Sequence, residues 1–173
     1  MLFLHFKNKE ISLIGLTVAL IVVIGFLFYY LSYIFPVPGS KMVSMAPFLT
    51  FMYALPVYKI NKRGIFFILS LLFAIIMSFI SIIMGIAILS AGLLTELTSY
   101  LFYYLPKRRK TIISTAFFPT FSFISFLVSS QYLIGINVIS SNTLFTLTIL
   151  LIITYILGIF GSYLSVNIIN RYS

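Results

Sequence analysis

Long apolar runs separated by short polar stretches are the main pattern of this sequence. Runs of about 20 apolar residues match the length needed to cross a hydrocarbon core roughly 30 Å thick. Each run therefore predicts one transmembrane helix. The predicted helices cover residues 11–33, 42–58, 64–79, 85–105, 111–130 and 144–168.

Turn residues and charges set the limits of these helices. The stretch "FPVPGSK" (35–41) predicts a loop because it carries two prolines and a glycine, and "KINKRG" (59–64) predicts a basic loop. The run 65–105 would be about 60 Å long as one helix, twice the thickness of the core. We therefore predict a turn near 79–84, although only a few small and polar residues mark it.

Positive charges are distributed very unevenly between the predicted loops. With six crossings, one side collects ten cations and the other side has Lys41 alone. The ten are Lys7, Lys9, Lys59, Lys62, Arg63, Lys107, Arg108, Arg109, Lys110 and Arg171. Because Lys and Arg accumulate in cytoplasmic loops, both termini are predicted to be cytoplasmic. The "KRRK" cluster (107–110) is taken as a loop in this topology.

Composition supports a membrane location. Of the 173 residues, 62% are hydrophobic and 8% are charged, whereas a soluble domain has about a quarter charged. We predict an all-α integral membrane protein forming one domain over residues 1–173, in the bacterial cytoplasmic membrane. The net charge of +9 would suggest nucleic acid in a soluble protein, but here the cations flank apolar runs. We expect a lipid environment and no nucleic-acid partner. The run 11–33 is too long for a cleaved signal peptide.

The residues needed for membrane catalysis are missing. The sequence has no cysteine, one histidine (His5) and two acidic residues, so it lacks the usual protease and metal ligands. It also has no G-x-x-x-x-G-K-[ST] phosphate loop, so it cannot use ATP by that route. We expect no enzyme activity, no metal and no cofactor. A carrier, a receptor or a scaffold remains.

Small residues recur every fourth position on two predicted helices. Gly15 and Ala19 share a face of the first helix, and Ser70, Ala74 and Ser78 share a face of the third. Such residues let backbones approach in lipid. They indicate either packing within the bundle or a docking face for another membrane subunit.

Polar side chains follow one face of the fifth predicted helix and continue into the next loop. They indicate either hydroxyls that bond across helices and to their own carbonyls, or a ligand pocket open to the exterior. Most Tyr residues lie where an interfacial belt is expected, whereas Tyr53 and Tyr155 fall nearer mid-membrane. The candidate substrate-binding residues are Tyr33, Lys41, Tyr53, Glu96, Ser125, Ser129, Gln131 and Asn137.

Glu96 lies in a run from Gly64 to Leu105 that has no other charged residue. Eleven residues separate it from Lys107, which predicts a depth of roughly 16 Å from the inner boundary. A carboxyl group at mid-membrane is costly unless it is paired or protonated. Two alternatives follow: Glu96 is protonated and bonds to a neighbouring helix, or it meets a polar or cationic group from a ligand or partner.

The chain resembles the substrate-binding S components of energy-coupling-factor (ECF) importers, most closely the Trep-Strep, or MptS-like, branch. The resemblance covers residues 11–168 in topology, with six helices and both ends inside. Its more specific part is "PFLTFMYALPVYKINKRGIFFILSLL" (47–72), a Pro-led helix entering a basic, Gly-ended loop. The segment "AGLLTEL" (91–97), followed by a basic loop, resembles the Gly–Glu segment of the fourth helix in that branch.

This resemblance implies a function. S components bind a vitamin or similar micronutrient near the outer face and dock on a transmembrane T component that two cytoplasmic ATPases drive. Docking in the family uses small residues on helix 1, often A-x-x-x-A; here Gly15 replaces the first alanine and Ala19 is the second. Loops 34–44, 79–84 and 131–143 would close over the ligand. Because 131–143 is uncharged, a neutral or singly charged heterocycle fits best.

Two other functions are compatible with the pattern. A membrane interaction protein without a ligand, such as an immunity factor or an assembly scaffold, would also lack catalytic residues. A self-sufficient secondary carrier would need internal symmetry, and the two halves show no clear repeat.

Overall fold

The protein is described here from a computed structural model, which places residues 6–31, 40–134 and 141–172. That part of the chain contains six helices and no strand, which confirms the all-helical prediction. The helices are α1 (Asn8–Leu31), α2 (Ser40–Ile60), α3 (Ile65–Ser78), α4 (Ile82–Leu101), α5 (Lys107–Ile134) and α6 (Ser141–Tyr172).

Five of the six helices, all except α3, are long and apolar enough to cross a membrane. This is the architecture of a multi-pass membrane protein. Helix α3 has 14 residues, so it is about 21 Å long and shorter than a usual hydrocarbon core. By length, five helices therefore qualify as membrane spans, and α3 is a shorter apolar helix.

The helices α3 and α4 form an antiparallel hairpin. Phe66 N donates to a Glu96 carboxyl oxygen, Ser70 lies against Gly92, and Ser78 lies against Gly85. From Phe66 to Ser78 the residue numbers on α3 rise, while those of their partners on α4 fall from 96 to 85, so the two helices run in opposite directions. The hairpin turns at residues 79–81, inside the interval 79–84 predicted from sequence.

The basic cluster at 107–110 is helical, so its prediction as a loop is wrong. Helix α5 begins at Lys107, and Lys110 N donates to Pro106 O over 2.9 Å. Proline is well tolerated at this place because the first N–H groups of a helix have no internal partner. The connection between α4 and α5 is therefore residues 102–106, and the cations form the first turn of α5.

One end of the bundle, which we call the basic end, gathers the start of α1, the α2–α3 loop, the start of α5 and the end of α6. Three contacts join these parts: Lys62 Nζ to Glu10 Oε2 at 2.6 Å, Arg108 to Asn167 Oδ1 at 2.6 Å, and Lys107 Nζ over the Tyr58 ring at 4.6 Å from its centroid. The α3–α4 turn and the start of α2 lie at the opposite end.

Close backbone contact holds α6 against α2 and α5. A Cβ atom on Gly161 would overlap the carbonyl oxygen of Pro47 and the hydroxyl of Thr50. Gly158 packs less tightly on α5, since a Cβ placed on Gly158 would lie 3.2 Å from the Cα of Ala116. Glycine is required at position 161 because the atoms that a side chain would meet include a backbone carbonyl that cannot rotate away.

Replacing Gly161 with valine should lower the stability of the purified protein by about 1–3 kcal/mol, as overpacking does in other cores. Thermal unfolding followed by circular dichroism in detergent measures this. Gly15→Val is the matched control, because a Cβ at Gly15 meets no atom within 4 Å. Equal melting temperatures for the two variants would contradict the α2–α6 packing.

Candidate functional site

Both acidic residues of the chain bind the segment that joins α2 to α3. Glu10 accepts a hydrogen bond from the Lys62 ammonium group, and Glu96 accepts hydrogen bonds from the backbone at the start of α3. The side chains approach the segment from α1 and α4 respectively. This segment is therefore fixed from two sides at the basic end.

Glu96 caps α3 from a neighbouring helix. Gly64 N donates to one carboxyl oxygen over 2.8 Å and Phe66 N donates to the other over 3.1 Å. These N–H groups belong to the four at a helix start that have no internal partner. The first turn of α3 contains no acidic residue, so α4 supplies the acceptor. Gly64 has φ 82°, a left-handed conformation that favours glycine.

The structure corrects the predicted position of Glu96. It lies at the basic end beside the start of α3, not at mid-membrane away from cations: Arg63 and Lys110 line the same cavity. Of the two alternatives left by the sequence, the structure shows a bond to a neighbouring helix. Ser125 lies about 27 Å along α5 from the start of that helix at the basic end, and Ser129 lies further still. Glu96, which is at the basic end, therefore does not share a pocket with these two serines.

Glu10 stabilises both its own helix and the α2–α3 segment. Its carboxyl oxygen accepts a hydrogen bond from Lys7 N over 2.8 Å, the reciprocal half of a capping box at the start of α1. The same oxygen accepts from Lys62 Nζ. The pair is partly exposed, with 34% of the Lys62 side chain and 20% of the Glu10 side chain accessible. Its contribution to stability is therefore modest, because solvent screens the attraction between partly exposed charges.

Cations at the basic end lie over tyrosine rings. Arg63 and Lys110 both approach the Tyr103 ring, at 5.4 Å and 5.0 Å from its centroid. Arg108 lies 5.7 Å from the centroid of Tyr163. Such contacts help to hold like charges at one end of the bundle, because each ring face attracts the cation above it.

A polar cavity of about 180 Å³, which we call the basic cavity, opens at this end. Of the residues that line it, Arg63 and Tyr103 are exposed to solvent and Ser114 is fully buried. The hydroxyl of Ser114 has no hydrogen-bond partner among the described residues. A buried polar atom in this state is costly unless a bound molecule or water satisfies it.

A second cavity of about 200 Å³, the apolar cavity, lies toward the opposite end between α1, α2, α3, α4 and α5. Three methionines from three helices line it, together with one hydroxyl. These residues are Met45, Met77, Met84 and Ser122. The Ser122 hydroxyl is buried and also has no partner in the described part of the chain. Flexible methionines adapt to varied shapes, so this lining suits a compact apolar molecule.

The predicted substrate residues are only partly brought together. Tyr53 is fully buried and stacks on Phe118, with ring centroids 4.0 Å apart. Because Phe118 lines the apolar cavity, Tyr53 supports this part of the wall but does not itself line the cavity. Ser125, Ser129 and Gln131 are half-buried on α5 and line neither cavity.

Three further candidates fall at the edge of the described structure. Tyr33 and Asn137 lie outside the described residues. Lys41 belongs to the first turn of α2, and only its backbone is described.

Sequence reasoning missed the residues that line the apolar cavity. Ser122 belongs to the polar face of α5 that the sequence showed, but nothing distinguished it from Ser125. The methionines gave no signal, because their convergence depends on how α2, α3 and α4 pack.

The predicted docking residues divide into two groups. Ser70 and Ala74 are buried in the α3–α4 hairpin, where Gly92 and Gly85 face them, so they are not accessible to a partner helix. Their spacing serves packing within the bundle. Ser78 is exposed at the end of α3, and Gly15 and Ala19 are exposed on α1.

In comparisons with known proteins, no protein-family model, curated protein or solved structure matches the chain.

Replacing Glu96 with leucine should destabilise the protein by about 1–3 kcal/mol, because two backbone donors lose a carboxyl acceptor. Glu96→Gln keeps one acceptor oxygen and should cost less. Hydrogen exchange at the amides of Gly64 and Phe66, together with thermal unfolding, measures the effect. Glu10→Gln is the control: it should not speed exchange at these two amides, and protection that survives Glu96→Leu would disprove the cap.

Proposed function

We propose that this chain is the substrate-binding membrane subunit of an ECF-type importer, which captures a small micronutrient at the outer face. A transmembrane T component and two cytoplasmic ATPases would supply the energy. The observation that supports this most directly is the apolar cavity, which residues of five helices line toward the end opposite the basic loops. A buried, unpartnered hydroxyl on Ser122 gives that cavity a point of specific recognition.

The lining of the apolar cavity restricts the chemistry of the proposed substrate. No described charged residue lines it, and the hydroxyl of Ser122 is its only side-chain hydrogen-bonding group among the described residues. A cavity of about 200 Å³ is smaller than the roughly 300–1,000 Å³ of sites for drug-sized molecules. Of the neutral or singly charged heterocycles that the sequence favours, a compact, neutral one with one hydrogen-bonding group fits these limits, because a charge would have no partner in the lining.

The proposed orientation places the basic end in the cytoplasm. Contacts among described residues bring Lys62, Arg63, Lys107, Arg108 and Lys110 to this one end. Cations in this number favour the cytoplasmic side of a membrane. In this orientation the apolar cavity belongs to the outer half of the bundle, where an importer must take up its substrate, and α3 forms the third of six crossings.

The proposed docking surface is the outward face of α1. Among the described helices, α1 packs only on α2 and α3. Gly15 and Ala19 are exposed on it, and no atom lies within 4 Å of a Cβ placed on Gly15. A helix from a T component could approach the α1 backbone closely here.

The proposed role as a substrate-binding subunit requires no catalysis by this chain, since the ATPases are separate subunits.

Single-cysteine labelling tests the orientation. Because the chain contains no cysteine, each introduced thiol is the only one present. Asn61→Cys and Arg109→Cys, both exposed at the basic end, should react only with a reagent that enters the cytoplasm. Phe79→Cys, at a turn residue that is 88% exposed, should react with an impermeant reagent added outside. Labelling of 61 and 109 from opposite sides would disprove the six-crossing topology.

Native mass spectrometry of the purified chain tests substrate capture. We expect a retained small molecule, and Ser122→Val should weaken its retention about tenfold because the proposed hydrogen bond is lost inside an apolar site. Ser125→Val is the matched control, since Ser125 is on the same helix but does not line the cavity. Equal effects of the two variants would exclude the apolar cavity as the site. A chain that retains no molecule at all would favour a scaffold or immunity protein.

Docking is tested by Ala19→Leu, which should keep the retained molecule but stop its uptake by cells. The added bulk would hold a partner backbone away from α1. Thr146→Leu, at an exposed position of α6, is the control for added bulk and should leave uptake unchanged. Uptake that survives Ala19→Leu would show that this face of α1 does not dock.

A further inference from the structure

Three helices begin at the basic end, and they differ in how their N-termini are neutralised. The start of α1 has Glu10, and the start of α3 has Glu96 from α4. The start of α5 has no acidic residue and carries four cations, residues 107–110. Negative charge is favourable at a helix N-terminus and positive charge is not. The chain has no third acidic residue for this position.

The basic cavity lies beside this unneutralised helix start. Lys110, Thr111 and Ser114 line it from the first two turns of α5, and Arg63 lines it from the α2–α3 segment. Among the described residues, Arg63 and Lys110 make ring contacts with tyrosine but no hydrogen bond or ion pair. Their N–H groups are therefore available to a bound anion.

Ser114 supplies an independent indication of a ligand at the inner part of the cavity. The residue is 0% exposed, lines the cavity, and its hydroxyl has no partner in the described part of the chain. Glu96 lines the same cavity, but its two oxygens accept hydrogen bonds from Gly64 N and Phe66 N. Lys62 also lines the cavity and is paired with Glu10.

We propose that the basic cavity binds a phosphate group, with Arg63 and Lys110 at its mouth and the Ser114 hydroxyl at its inner end. A phosphate offers several acceptor oxygens to donors at different depths, and arginine and lysine are its usual protein partners. The phosphate belongs either to an anionic lipid headgroup or to a soluble molecule. Basic pockets between helices at a membrane surface have the chemistry for both. The site is separate from the apolar cavity and does not depend on the proposed importer function.

The experiment compares two variants that remove the same charge. Arg63→Gln/Lys110→Gln changes the cavity, and Lys59→Gln/Arg109→Gln changes two exposed cations at the same end that do not line it. Circular dichroism checks that each variant is folded. Ser114→Ala keeps every charge and provides a second test if the double cavity variant does not fold.

Two probes separate the sources of the phosphate. Native mass spectrometry after exchange into mixed phosphatidylglycerol and phosphatidylcholine measures lipid retention, and thermal unfolding in neutral detergent with added inorganic phosphate measures free-anion binding. We expect the wild-type chain to retain phosphatidylglycerol selectively, or to be stabilised by phosphate. The cavity variant should bind at least about tenfold more weakly, as expected for the loss of a charge-assisted hydrogen bond. Ser114→Ala should also weaken binding, and the control variant should not.

Selective lipid retention would identify a headgroup site, and stabilisation by inorganic phosphate would identify a site for a soluble anion. Either result supports the proposal. The proposal is overturned if neither probe binds, if the control variant loses binding as much as the cavity variant, or if Ser114→Ala leaves binding unchanged.

Discussion

The cap that Glu96 places on α3 is the contact on which the basic end depends. Two backbone N–H groups at a helix start need acceptors, and a carboxyl group from α4 provides both. This contact sets where α3 begins and fixes its register against α4, where Ser70 packs on Gly92. It also holds Arg63 next to Tyr103, and so it shapes the wall of the basic cavity.

The fold could be predicted largely because lipid restricts the choice. Long apolar runs must become helices, since only helices satisfy their own backbone hydrogen bonds within one segment. Even the α3–α4 turn, which has almost no sequence signal, followed from the length of a run too long for one crossing. The first turn of α5 was not predicted, because four adjacent cations are typical of a loop, and their contacts with Tyr58, Tyr103 and Asn167 come from distant parts of the chain.

The candidate site was harder to predict from the sequence than the fold was. Spacing along one helix shows which residues share a face, but not which neighbour covers that face. Ser70 and Ala74 have the spacing of a docking surface, yet Gly85 and Gly92 of α4 occupy it. Ser122 and Ser125 have the same chemistry and lie three residues apart, yet Ser122 lines the apolar cavity and Ser125 does not.

The short length of α3 has a consequence for the surrounding bilayer. At about 21 Å, it is roughly 9 Å shorter than a typical hydrocarbon core, and Leu72, Ile75 and Ile76 on its surface are exposed. In the proposed six-crossing topology, acyl chains beside α3 must compress, or headgroups and water must sink toward its first residue. Such hydrophobic mismatch costs a fraction of a kcal/mol for each ångström, so the protein should partition into thinner, more deformable regions of the membrane.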